Sequence, residues 1–285
     1  MPAAQFQSAG SSEQRAEDVE RYYDTNTRAF LRVGAGRHQR VIHRGVWGPG
    51  VRTREQASHY VHECLRRELT QLARDAPTLL DLGCGVGTSL TYLLQHHPDA
   101  TGIGVSISPV QVALAERQAH ARARFVRADF CRDPLPTPVD FAYAIEAFVH
   151  ASTADAFFAT VARSLRPEGR LVIVDDFLAS AAQHSAVVRR FQKGWHARSL
   201  MAPEAIDRLA AAAELRLRDD RDLTPYLELN RPRDRALAAL DGVLRPLASA
   251  HPWLQSLAGG TALRSCLAQG LITYRWRVWE KASLR

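Results

Sequence analysis

The chain has 285 residues, 46% hydrophobic and 24% charged, the balance of an ordinary globular protein long enough to bury one substantial core. Its net charge of +7 is almost wholly arginine, with lysine only at 193 and 281, and the charges are dispersed; without a basic run, an RNA-binding signature or an apolar run near the ~18 residues of a membrane span, no nucleic-acid partner and no membrane span are expected. Cysteines 64, 84, 131 and 266 lack CxxC spacing and "MPAAQFQSAGSSEQ" lacks the parts of a secretion signal, so reduced thiols and a cytoplasmic location are expected.

Residues 1–11, rich in Ala, Gln, Ser and Gly, read as a disordered tail. "SSEQRAEDVERYYDTNTRAFL" opens like a capped helix, and a long Gly-rich connection follows over 34–50, of the kind that serves as a lid or binding loop. Apolar residues at 57, 61, 65, 69 and 72 predict a second helix over 53–75, so 12–76 is expected to form an N-terminal helical lid. Apolar runs at 78–82, 101–107, 124–128, 139–145 and 170–174 then alternate with helical segments near 87–96, 109–120 and 154–165. That alternation predicts an α/β core over 77–177, a parallel sheet covered on both faces. From 178 to 270 the pattern predicts substrate-recognition helices in 180–213 and about 232–268, with one core strand in "ELRLRDDRDL". Residues 271–285 supply a C-terminal strand, "LITYRWRVWE", and there is no internal repeat.

The stretch "LLDLGCGVGTSL", Leu79 to Leu90, joins the first strand of that core to a helix. In an open parallel sheet this turn bares backbone amides to a ligand, and Gly83, Gly85 and Gly87 suit it because none has a Cβ. A dinucleotide fingerprint wants GxGxxG, but here Thr88 holds the place of the third glycine and Asp81 precedes the first by two. An acid followed by GxGxG resembles motif I of the class I S-adenosylmethionine-dependent methyltransferases. The resemblance continues through "TGIGVSISPVQVALAERQ", "ARFVRADFCRDPLP", "VDFAYAIEAFVHA" and "FFATVARSLRPEGRLVIVDDF", and so covers about residues 77–177. It is most similar to the branch of tocopherol C-methyltransferases, cyclopropane fatty acid synthases and isoprenoid methyltransferases.

The resemblance implies a Rossmann-like, mostly parallel seven-stranded sheet with helices on both faces, a helical lid and a helical insertion after strand five. It implies S-adenosylmethionine as cofactor, with Asp81, Gly83, Cys84, Gly85 and Gly87 at its amino-acid end. Asp129 and Phe130 would flank the adenine, and Ile145 would close the site at the exit of strand four. Many relatives place an acid at the end of strand two for the ribose; here Ser106 stands there, with Gln111 as a supplement.

Glu146 and His150 follow strand four, and if the stretch is helical their i, i+4 spacing places them on one face. Glu146 is the candidate base or cation stabiliser and His150 its partner or a substrate contact; orientation of cofactor or lid by Glu146, and core packing of His150, stand as the alternatives. Tyr22, Tyr23, His43 and Trp47 are lid candidates, and Phe148, Trp195, His196, Tyr226 and Arg231 candidate substrate contacts. Arg231, Arg233 and Arg235 suit a diphosphate, which Mg2+ would accompany, or pair locally through Asp234 as a solvated helix start. His59, His62 and Glu63 read as a solvated helix face, and no metal site is expected. The expected activity is methylation of a small molecule, foremost at an alkene carbon of a prenyl diphosphate with proton loss. O- or N-methylation of a phenol or amine, a non-catalytic cofactor-binding role and homo-oligomerisation stay open.

Overall fold

A computed structural model describes residues 12–33, 41–179, 185–231 and 251–283. The 1–11 tail, Arg233, Asp234, Arg235 and the helical segment expected from 232 to 250 lie outside the described residues. Seven strands are described: β1 (Thr78–Leu82), β2 (Thr101–Ser106), β3 (Ala123–Arg127), β4 (Val139–Ile145), β5 (Leu165–Leu178), β6 (Leu215–Asp222) and β7 (Ile272–Lys281). They form one sheet in the order β3-β2-β1-β4-β5-β7-β6. The pairs among β1 to β5 are parallel, whereas β7 runs antiparallel to both β5 and β6.

The central strands read as unbroken apolar runs because both faces of the sheet are covered. In β4, Phe141 and Tyr143 join the core on one face while Ala142 and Ala144 join the other. Val172 and Val174 alternate with Leu171 and Ile173 in the same way along β5. The edge strand β6 instead carries charge, with Arg218 paired to Glu280 and Asp220 to Arg275 on its neighbour. Charge on an edge strand discourages pairing with another chain.

Helices α1 (Ser12–Val33) and α2 (Arg54–Gln71) precede the sheet, and α3 (Thr88–His96), α4 (Pro109–Glu116) and α5 (Ala154–Ser164) connect its parallel strands. After β5 come α6 (Ala186–Trp195) and α7 (Pro203–Ala212), and α8 (Pro252–Ala268) precedes β7. Helix α2 starts at a capping box between Thr53 and Gln56 and buries Ala57, Val61, Leu65 and Leu69, the stripe its sequence spacing foretells. Among the described residues no helix is long and apolar enough to cross a membrane. Sheet order reverses between β1 and β4, so the chain opens a crevice at the carboxyl ends of these strands, where ligands of open α/β sheets sit.

Candidate active site

That crevice holds a cavity of about 390 Å³. On one side Asp81, Gly83, Cys84 and Gly85 line it, with Ser106, Gln111, Asp129 and Phe130 beyond them and Ile145 at the exit of β4. Gly85 has φ +53°, and a Cβ added there would meet only Ile42, at 3.6 Å, so its bareness leaves the cavity open. Gly87 differs from expectation and does not line the cavity. A Cβ on it would come within 2.5 Å of the Phe125 ring, so this glycine lets α3 pack against the sheet. Asp81 is buried, accepts a 3.0 Å hydrogen bond from the Tyr143 hydroxyl, and is pushed by burial up to about 7.

Helix α1 covers this side with Val19, Tyr22 and Tyr23. Ser106 donates to the Gln111 side-chain oxygen at 2.8 Å, and Gln111 donates to Thr27 of α1 at 3.1 Å. The ribose-side candidates are therefore braced by the N-terminal helix.

Across the cavity Arg44 gathers two carboxylates. Its backbone N–H and Nε donate to Glu146 Oε1 at 2.9 and 3.0 Å, and its two terminal nitrogens reach the two Asp176 oxygens at 3.0 Å each. Tyr274 of β7 donates its hydroxyl to the same Glu146 oxygen at 3.0 Å, and the Arg44 guanidinium lies 4.1 Å over its ring. Burial pushes the Glu146 carboxyl up, but the Arg44 charge and hydrogen bonds outweigh it and hold the group below the ordinary carboxylate range.

The helical face expected to carry Glu146 and His150 does not form. Glu146 sits at φ +49° with its N–H donating to the Val174 carbonyl, and only a single 3-10 turn, Phe148–His150, follows it. His150 meets the Tyr23 ring edge-on at 5.5 Å and is pushed by burial, and further by His196, down to about 4. Among the described residues its Nδ1, which is buried, has no hydrogen-bond partner. Beside it Asp175 accepts from the Val149 and Asp176 amides at 2.9 and 2.8 Å; burial and the neighbouring Asp176 push it up to about 8.

The expected solvated face on α2 is corrected as well. His62 is fully buried, lines the cavity, and lies 2.9 Å from both His43 Nε2 and Ser89 Oγ. His59 Nδ1 approaches it from the outer side at 3.1 Å. Burial lowers the pKa of all three imidazoles, most strongly that of His62. Among the described residues no group of three or more His, Cys, Asp or Glu could hold a metal ion.

Residues 79–169 match the family described as "Methyltransferase domain". The O-methyltransferase rstn1 of Aspergillus nomiae is 31% identical over 186 residues, a match covering 62% of this chain and 80% of that protein. The chain belongs to the class I S-adenosylmethionine-dependent methyltransferases. This methyltransferase is also 30% identical over 215 residues to the O-methyltransferase resE of Aspergillus sclerotiorum, covering 73% of this chain and 79% of that one. Among solved structures, a geranyl diphosphate methyltransferase in complex with GPP and sinefungin superposes with a TM-score of 0.72 at 21% identity, covering 94% of this chain and 98% of that one. The cyclase SpnF superposes at 0.73 and 20% identity over 99% and 100% of the two chains. At such identities these superpositions show the shared fold.

The methyltransferase gathers Tyr22, Tyr23, His43, Trp195 and Arg231 around the same cavity. Arg231 is paired with Glu228 at 2.8 Å. Four expected substrate contacts lie off it. Phe148 is fully buried among the rings of Phe157, Phe158 and Phe177, and is core. Trp47 and Tyr226 meet through a 2.8 Å backbone hydrogen bond outside the cavity lining. His196 caps α6 in the left-handed conformation and presents its edge to Tyr22 at 5.7 Å. Sequence reasoning missed Arg44, His62, Asp175, Asp176 and Tyr274. One signal was legible: the double acid that ends the apolar run "LVIVDD" at the carboxyl end of a strand.

Proposed function

We propose that the methyltransferase methylates a hydroxyl oxygen of a neutral small molecule, with His150 receiving the hydroxyl proton. The observation that carries this reading is the buried, unpartnered Nδ1 of a cavity-lining imidazole. The backbone of His196 and of Trp195 lies against the same ring, and in a neutral ring whose hydrogen is on Nε2 the lone pair is on Nδ1, the tautomer this reading requires. With its pKa near 4, the ring is neutral at pH 7 and free to accept from an acceptor hydroxyl.

The residues on the glycine-loop side fit S-adenosylmethionine, which when bound supplies an electrophilic sulfonium methyl. Among the described residues no cation stands beside the buried Asp81 carboxyl, and an ammonium group there would restore its ionisation. Gly85 leaves space against the loop, Ser106 and Gln111 offer polar groups to a ribose, and Asp129 with Phe130 suits an adenine. Glu146, held ionised by Arg44, contributes a fixed negative charge near the reacting centre.

A prenyl diphosphate suits this lining less well. Among the described residues both arginines at the cavity are already paired, Arg44 with Glu146 and Asp176 and Arg231 with Glu228, which Arg54 shares. Asp81, Asp129 and Asp175 add further acids to the wall, and the described residues offer no cluster for the Mg2+ that would offset them. Carbon methylation of an uncharged alkene is the second reading, favoured by the aromatic faces of Tyr22, Tyr23 and Trp195 around an ionised Glu146, which suit a transient cation.

The test is mass-spectrometric detection of methylated products from a panel of neutral phenols and alcohols, amines, alkenes and prenyl diphosphates. Methyl ethers are the expected products, and His150→Phe should lower kcat by about 100-fold while cofactor affinity holds. Methylation only at carbon or nitrogen, or full turnover by the His150→Phe variant, would sink the proposal.

A further inference from the structure

The three imidazoles outside the glycine loop form a chain whose protons can be assigned from a single carbonyl. His43 Nδ1 lies 3.0 Å from the backbone oxygen of Arg44, an atom that only accepts, so Nδ1 carries the hydrogen. In a neutral ring His43 Nε2 then holds a lone pair, and His62 Nε2, 2.9 Å away, must be the donor. That leaves His62 Nδ1 as an acceptor, and His59 Nδ1 donates to it at 3.1 Å. Each ring has one proton, and the Nε2–H of His62 is shared between His43 Nε2 and Ser89 Oγ, both 2.9 Å away. A further proton fits without breaking a link only at the outer end, on His59 Nε2.

The inner end of this chain is the residue that organises the acceptor side. His43 grips the carbonyl of Arg44, while the amide and guanidinium of Arg44 grip Glu146 and Asp176. His62, fully buried on α2, thus connects the loop bearing Arg44 to the start of α3 through Ser89. An ordinary core position would be filled by an apolar ring. Two buried nitrogens cost stability unless both are satisfied, and here both are.

We propose that His62 is a positioning residue for methyl transfer: through His43 it fixes Arg44, and Arg44 in turn fixes the place and charge of the Glu146 carboxylate. His62 touches Glu146 by no hydrogen bond of its own, so its influence runs through the Arg44 loop. The described groups in contact with or electrostatically felt by Glu146 are Arg44, His43, Tyr274, Tyr23 and His150, with Asp175 and Asp176 close by on β5.

The experiment compares the full-length protein with His62→Phe, which keeps a ring and removes both nitrogens, and His62→Gln, whose amide restores a donor toward His43. The carboxyl carbon of Glu146 is titrated by NMR, and cofactor affinity is measured by calorimetry. In His62→Phe the Glu146 midpoint should rise by about one pH unit as Arg44 loosens, with His62→Gln returning most of the way and cofactor affinity within about twofold throughout. An unmoved midpoint, or identical behaviour of the two variants, would overturn the proposal in favour of packing alone. Should His62→Phe fail to fold, nitrogen NMR of the wild-type histidines decides: Nδ1–H on His43 and Nε2–H on His62 are required, and any other tautomer of His62 refutes it. None of these readouts involves turnover, so they stand or fall separately from the identity of the methyl acceptor.

Discussion

The two sides of the cavity are built by different rules. The side proposed for the cofactor comes from three short segments, residues 81–85, 106–111 and 129–130, and relies on bare backbone and small side chains at the ends of β1 to β3. The acceptor side draws on residues 43–44, 62, 146–150, 175–176, 195 and 274, which sit on separate elements and are held by side-chain hydrogen bonds and ion pairs. A binding surface made of backbone is set by the fold. One made of side chains from six places needs a residue to hold it together, and Arg44 is that residue.

The largest expected effect therefore lies on the acceptor side. Arg44→Leu should cost about 3 kcal/mol of unfolding free energy, because Asp176 is left buried without its cation and Glu146 loses the Arg44 Nε, one of its three donors, together with the guanidinium charge. Chemical denaturation would measure this, and a loss under about 1 kcal/mol would mean the clamp is replaceable. On the cofactor side the expected effect is one of pH. Asp81 stands at about 7 in the cofactor-free protein, so it is protonated below that value and attracts an ammonium poorly. Cofactor affinity should rise about tenfold between pH 6 and pH 8, and Asp81→Asn should flatten the profile. For the empty protein the sign is reversed: a raised carboxyl favours the protonated fold, so stability is lost as pH rises through 7. The smallest effect belongs to the region outside both sides. Tyr226→Phe should change kcat/KM by less than about twofold, since the ring is exposed and off the cavity. A larger change would extend the acceptor side beyond the lining residues.

What the sequence revealed follows the same division. The strands β1 and β4 occupy the predicted spans 78–82 and 139–145, because apolar runs buried on both faces announce themselves without knowledge of their partners. That Asp81, Gly85 and Asp129 line the cavity was legible because a local motif specifies a local turn. His62 was not, because helical spacing alone does not say that Ser89 and His43 will meet it. Phe148 misled in the opposite sense: it lies two residues from Glu146 in sequence, yet the 3-10 turn sends its ring into a cluster of phenylalanines on the far side. Gly87 shares its motif with Gly85 but answers to Phe125, a residue distant in the chain.

The antiparallel β7 has a consequence for the order in which the molecule can be assembled. Strand β6 is synthesised first but touches the sheet only through β7, which slides between it and β5. A chain emerging from the ribosome can thus complete β1 to β5 and the nucleotide-side turns while β6 still waits without a neighbour. Only when β7 arrives does Tyr274 reach Glu146, so the half that would recognise the cofactor matures before the half that would choose what to methylate.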